Sequence, residues 1–242
     1  MSERHWQRPA LATTALALLG ATAVAGCGNS ASTSHASATQ TAGVAAATGQ
    51  SSFTAAQLKG ALLTKVGGAS PAAPAEAGDY GALPDVQTSK NTMNGVKVTP
   101  ARCAEATVTG FNSAAFTHAP ASVVTFRVGR DGVSEVLVST TPGIASAAFG
   151  NRLPAGCTHY TATVQGRTFH YSVKEAPLAG LANQARALNV KAAGYAEVDV
   201  WSVVYRGNGF VGAVTIVGPD ASETGAKNLA KQAYGYASQS LR

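Results

Sequence analysis

The chain has 242 residues, with 18 Lys and Arg against 12 Asp and Glu, a formal net charge of +6. Apolar residues make up 45% and charged residues 12%, a globular composition that excludes a wholly disordered chain. The basic residues are scattered with no Lys- or Arg-rich run, whereas nucleic-acid binding calls for a clustered stripe, so no nucleic-acid partner is assigned.

Arg4, His5 and Arg8 form a short basic start, and Ala10 to Ala25 is uncharged and rich in Ala and Leu. That run is shorter and less apolar than the roughly 20 residues a bilayer span needs, so it fits the h-region of an export signal. Val24-Ala25-Gly26-Cys27 resembles the lipobox of bacterial lipoproteins, in which the cysteine is diacylated and becomes the new N-terminus. The alternative is an ordinary signal peptide with a chance cysteine, but such cut sites want small residues and gain nothing from Cys. Residues 1–26 are therefore expected to be a lipoprotein signal peptide and Cys27 the lipidation site. Two acyl chains meet the two-signal requirement for stable anchoring, at about 0.8 kcal/mol per buried methylene. The expected location is the extracytoplasmic face of the cell membrane, with the membrane as a partner through the anchor. A diffuse positive charge there fits contact with anionic lipid heads or wall polymers, and equally a solvated surface without a partner.

Residues 27–52 read as a tether. Asn29 to Ser52 is mostly Ser, Thr, Ala, Gln and Gly with no Asp, Glu, Lys or Arg, and it lacks the apolar surface to offset its ordering entropy. Residues 53–242 then make one folded domain, a length that can bury a real core.

Thr54 is a good N-cap with Gln57 three residues on, and Phe53 and Leu58 occupy the ends of a hydrophobic staple. A helix from Ala55 to about Thr64 is expected. The Gly- and Pro-rich stretch GGASPAAPAEAGDYGALPD reads as a long loop. Thr99-Pro100 reads as the start of a second helix, carrying Cys103. SVVTFRV and VSEVLVS flank GRDG, a hairpin signal, and GIASAAF reads as a short helix ahead of Cys157.

THYTATV and RTFHYSV flank Gln165-Gly166 as a second hairpin, and LAGLANQARAL reads as a helix with Leu181, Ala185 and Leu188 on one stripe. YAEVDVWSVVYR and FVGAVTIV flank Asn208-Gly209, a strong hairpin signal. Pairing across it sets Trp201, Val203 and Tyr205 opposite Ile216, Val214 and Gly212. Val200, Val204, Ala213 and Val217 share the other face. Both faces are apolar, so this pair is expected at the centre of the sheet and covered on both sides. Asp220 and Glu223 suggest a capping box, and the last helix is expected to bury Ala226, Leu229, Ala230, Ala233 and Ala237. The fold class is α+β, an antiparallel sheet of about six strands with helices packed on it.

Of the three cysteines, the anchor takes Cys27, leaving Cys103 and Cys157. In an oxidising compartment their disulfide is the default, and closing a loop of about 55 residues stabilises by about 4 kcal/mol in the chain-entropy model. A metal site built on them would need further ligands, and none has the spacing. A catalytic thiol would need a His or acid beside it, and none is poised there.

GNGFVGAV, Gly207 to Val214, matches the glycine-rich loop of protein kinases, but the residues that follow hold no strand lysine, H-R-D or D-F-G. The dinucleotide-binding version fails as well, because a strand follows where a helix is required. The glycines are better explained by a tight turn. Across Gln165-Gly166, Thr161 falls opposite His170 and His159 opposite Ser172, so both histidines share a face with Thr163 and Thr168. Two imidazoles on diagonal positions could hold a metal or a proton-dependent contact, which makes His159 and His170 candidate ligand-binding residues. The simpler reading is a solvated hairpin face, because no third ligand is identifiable. Glu197 and Asp199 share a strand face and could do acid–base work, though an exposed strand end is the commoner explanation. No G-x-S-x-G, H-E-x-x-H or Walker sequence occurs. No catalytic residue, metal or cofactor is assigned.

The order of parts is familiar: a tethered domain opening with a helix, a Cys-bearing helix, a hairpin and a short helix ending near a second Cys. The VWSVVYRGNGFVGAVTI hairpin and a final amphipathic helix complete it. Residues 53–242 resemble the extracellular sensor domain of actinobacterial transmembrane Ser/Thr kinases of the mycobacterial kinase H type, and the stand-alone lipoproteins that share it. That family typically has two disulfides, and this chain can form one inside the domain. The resemblance implies an α+β domain with a cleft proposed to bind an unidentified ligand. It is to the sensor part alone, so no kinase activity carries over. The expected function is a non-catalytic binding or sensing lipoprotein whose ligand is a small molecule or envelope component. A lipid or glycolipid carrier is the alternative and needs a large apolar cavity. An envelope hydrolase has only the scattered His and acids in its favour.

Overall fold

One antiparallel sheet organises the domain. The computed structural model describes residues 53–104, 111, 114–150, 153–194 and 197–242. The expected signal segment 1–26, the lipidation site Cys27 and the tether 27–52 lie outside the described residues.

Nine strands form among the described residues, not six. They are β1 (Glu76–Asp79), β2 (Lys97–Thr99), β3 (Pro120–Val128), β4 (Asp131–Ser139), β5 (His159–Val164), β6 (Arg167–Pro177), β7 (Gln184–Ala193), β8 (Val198–Arg206) and β9 (Phe210–Gly218). Their order is β1-β3-β4-β9-β8-β7-β6-β5-β2. The helices are α1 (Ala55–Gly60), α2 (Pro84–Asn94), α3 (Pro142–Gly150) and α4 (Glu223–Ser240).

The expected hairpins form in the expected registers. Thr161 pairs with His170 and His159 with Ser172, while Trp201 pairs with Ile216, Val203 with Val214 and Tyr205 with Gly212. The β8–β9 pair is central, as two apolar faces require.

The three added strands correct the reading of their segments. LAGLANQARAL is not a helix: Ala, Leu, Gln and Arg favour helices, but Gly180 and Ala182 take positive φ and Gln184–Ala193 becomes β7. There it pairs with β6 on one side and β8 on the other, and those two ladders outweigh helix propensity. The loop after Gly67 instead supplies β1, which pairs with β3, and then α2, with Pro84 at its first helical position. No residue of α2 is buried, so the helix has no apolar stripe by which to announce itself. At Thr99-Pro100 the expected helix start is a 3-10 turn, Ala101–Cys103, preceded by the edge strand β2 on β5.

α1 is shorter than expected and carries the full capping box, with Gln57 N donating to Thr54 Oγ1 and Thr54 N donating to Gln57 Oε1 at 2.8 Å. α4 is capped by Ser222, whose Oγ accepts from Gly225 N, rather than by Asp220. Asp220 is drawn to the β3–β4 turn, where Arg130 Nη2 donates to it at 2.7 Å.

Two layers of apolar contact cover the sheet. On one face α1 packs over β3 and β4, and α4 over β8 and β9. The α4 contribution is the expected stripe of Ala226, Leu229, Ala230, Ala233 and Ala237, whose small side chains let the helix sit close to Val203, Tyr205 and Val214. On the opposite face Phe111, Phe116 and Phe149 pack against Val138, Val204, Val211 and Ala213. Farther along that face, Cys103 and Cys157 join Tyr160, Val173 and Val190 in a third cluster under β5, β6 and β7.

Candidate ligand cleft

The residues singled out in the sequence separate into bonded, solvated and buried groups. Cys103 and Cys157 are fully buried and joined, with sulfurs 2.01 Å apart and Cα atoms 5.3 Å apart. They are therefore a structural link and neither a thiol nor a metal ligand. His159 and His170 lie on one face of the β5–β6 hairpin, as their register requires, and both are exposed. His159 Nδ1 sits 3.3 Å from Thr158 Oγ1. Among the described residues, no three of His, Cys, Asp and Glu gather into a possible metal site. Asp199 is held by Lys191 Nζ at 3.2 Å and by the Asn189 side-chain amide, and Glu197 is exposed just before β8.

Sequence reasoning missed Glu135. On the central strand β4 its side chain is 1% exposed and points into the apolar layer beneath α1. Leu63 N donates to its Oε2 at 2.8 Å. Tyr205 faces the same carboxyl, but no hydrogen bond of normal geometry joins Tyr205 Oη to Oε1. Burial pushes the Glu135 carboxyl up to about 7, against the lowering pull of Leu63 N–H and the Tyr205 hydroxyl. Burial and then the adjacent carboxylate push Tyr205 well above its ordinary value. This pair belongs to the core.

A cleft of about 370 Å³ opens on the opposite face, where β4 leaves the sheet. Three chain segments meet there. Thr140 N donates to Gly209 O at 2.9 Å, so the β4–β9 ladder runs on into the β8–β9 turn. That turn needs glycine: Gly209 takes φ +76°, and a Cβ on Gly207 would fall 2.2 Å from the Phe210 ring. Asn183 N donates to Arg206 O and Asn183 Nδ2 to Asn208 Oδ1, which ties the chain entering β7 to the same turn. The third wall is the start of α3, whose first intrahelical bond runs from Ala145 N to Thr141 O.

Thr140, Thr141, Asn183, Gln184 and Asn208 line this cleft together with Ala145, Gly207 and Gly209, and among the described residues Arg206 is its one charge. Arg206 Nη1 donates to Ser146 Oγ at 3.2 Å, which holds the guanidinium against α3. Among the described residues no His, Asp, Glu or Cys lines the cleft. The arrangement suits binding. Its volume fits a small molecule. The sequence held one part of this site, the GNG turn, but assigned it no role beyond the turn. The rest needs the β4–β9 pairing, which brings residues near 140 to residues near 207 and leaves no local signal.

No protein-family model matches the chain, and no curated protein does. Solved structures are similar to it, two of them as follows. One is the extracellular domain of PknH from Mycobacterium tuberculosis, at 13% identity and a TM-score of 0.44, covering 60% of this chain and 77% of that one. The other is a putative uncharacterized protein of Mycobacterium smegmatis, an Rv0999 ortholog, at 15% identity and a TM-score of 0.37, with the same coverage of 60% and 77%. The first is the kind of domain that the order of parts in the sequence resembles. No helix among the described residues is long and apolar enough to cross a membrane.

Proposed function

We propose that this chain is an extracytoplasmic lipoprotein, moored through Cys27, whose folded domain binds a ligand without transforming it. The observation that carries the binding part is the cleft at the β8–β9 turn, where polar groups from three segments converge and, among the described residues, one cation and no proton-transfer group line it. The lipobox and the uncharged tether support the mooring. The buried Cys103–Cys157 link suits an oxidising compartment. The membrane is the partner of the anchor, and a small molecule or envelope component is the partner of the domain.

Two measurements test this. Mass spectrometry of the mature chain should find a diacylated Cys27 at the N-terminus, and Cys27→Ser should release the protein into the soluble fraction. Native mass spectrometry of the chain taken gently from membranes should show a small adduct. Gln184→Trp, which places an indole across the cleft mouth from an exposed position, should lose it. An unmodified Cys27 sinks the mooring, and an adduct indifferent to Gln184→Trp sinks the cleft as the site.

A further inference from the structure

Resting on the reading of the cleft as a ligand site, we infer that it takes a small water-soluble molecule through an oxyanion group, a phosphate or a carboxylate. Three features converge. Among the described residues Arg206 is the one charge in the lining, and a guanidinium presents a planar fork of donors that matches both groups. The cleft abuts the start of α3, a nine-residue helix, through Thr141 and Ala145, and the helix dipole at that end favours negative charge.

The third feature is Thr140, a cleft residue 1% exposed whose hydroxyl has no hydrogen-bond partner. Strand alternation from Val136 and Val138 carries this side chain to the face on which Arg206 lies. A buried hydroxyl left unpaired costs stability, so its retention is explained when a ligand oxygen accepts its proton. The cleft's volume of about 370 Å³ lies at the small end for ligand pockets, which points to a small soluble molecule rather than a whole lipid.

The test is calorimetric titration of the full chain in detergent micelles, at constant ionic strength, with inorganic phosphate, succinate and glucose as probes. One of the two anions should bind with a Kd of about a millimolar or tighter, and which one does so separates phosphate from carboxylate. Arg206→Gln should weaken that binding about tenfold or more, and Gln184→Trp should abolish it. Thr140→Val should weaken it several-fold while leaving the melting temperature unchanged or higher, which a merely structural threonine would not do. Anion binding indifferent to all three substitutions overturns the inference. Binding of glucose alone, lost in Gln184→Trp, overturns the anion assignment and leaves the ligand cleft standing. Binding of none of the probes overturns the anion assignment, and the adduct measurement then decides the cleft.

Discussion

The β8–β9 and β5–β6 hairpins share a plan and occupy opposite situations. Each has a two-residue turn and long antiparallel arms, and each formed in the register its sequence dictates. The central hairpin is apolar on both faces and lies between α4 and the Phe111–Phe116 cluster. The outer one is apolar on one face only, where Tyr160 and Tyr171 stack at 5.0 Å, and it leaves His159 and His170 in solvent. Their turns differ in the same way. Asn208-Gly209 is walled by β4, α3 and the entry to β7, so a cleft forms around it, whereas a Cβ added at Gly166 would meet nothing within 4 Å. A turn thus gains a binding surface when its hairpin is central enough for other strands to end beside it.

The sharpest way to break this comparison is to cut the same amount from each region. Leu137→Ala, at a fully buried position in the central layer, should cost about 2–5 kcal/mol in urea unfolding. Thr163→Ala, on the polar face of β5, should change stability by no more than about 0.5 kcal/mol. Equal effects would mean that the outer hairpin is covered in solution. The outer region compensates with its covalent link. Replacing both Cys103 and Cys157 by Ala releases a loop of sequence separation 54 and should cost about 2–4 kcal/mol. A loss below about 1 kcal/mol would show that the third cluster holds without it.

The central layer also carries a pH signature. Glu135 titrates near 7 when folded and near 4.5 when unfolded. A raised acid favours the protonated folded form, so its contribution is fully present below about 4.5 and is lost as pH climbs towards about 7. Glu76 and Asp85 are raised by burial and add a slope of the same sign, while Glu223, lowered by Lys227, adds the opposite. Glu135→Gln preserves an acceptor for Leu63 N and cannot ionise. It should match the wild type near pH 4 and exceed its stability by roughly 2 kcal/mol at pH 8. Parallel curves for the two proteins would remove the buried carboxyl from the account.

How much of this was legible follows from where each signal lies. Local signals were enough for the hairpins, the Thr54 cap and the buried stripe of α4, because turn chemistry and periodicity sit within a few residues. β7 was misread because its residues favour a helix and only its two neighbouring ladders make it a strand. α2 was missed because a helix with no buried side chain has no stripe. Glu135 looked like one acid in an alternating strand, and its burial depends on α1 folding back to bring Leu63 N to it. The cleft was hidden for the same reason, since Thr140 and Arg206 meet only through the β4–β9–β8 pairing.

The smallest expected effect tests whether the outer face is a solvent surface. His159→Ala and His170→Ala together should move stability by no more than about 0.5 kcal/mol, because both rings are exposed and neither packs against the core. The same pair gives a second readout. Register places the two imidazoles diagonally, about 7–8 Å apart at the backbone, within reach of a shared ion. Added zinc should nevertheless leave the melting temperature of the wild type unchanged, since no third His, Cys, Asp or Glu of the described residues gathers there. A zinc-dependent rise that vanishes in the double variant would turn the outer face into a metal site and place a second ligand position at the far edge of the sheet from the cleft.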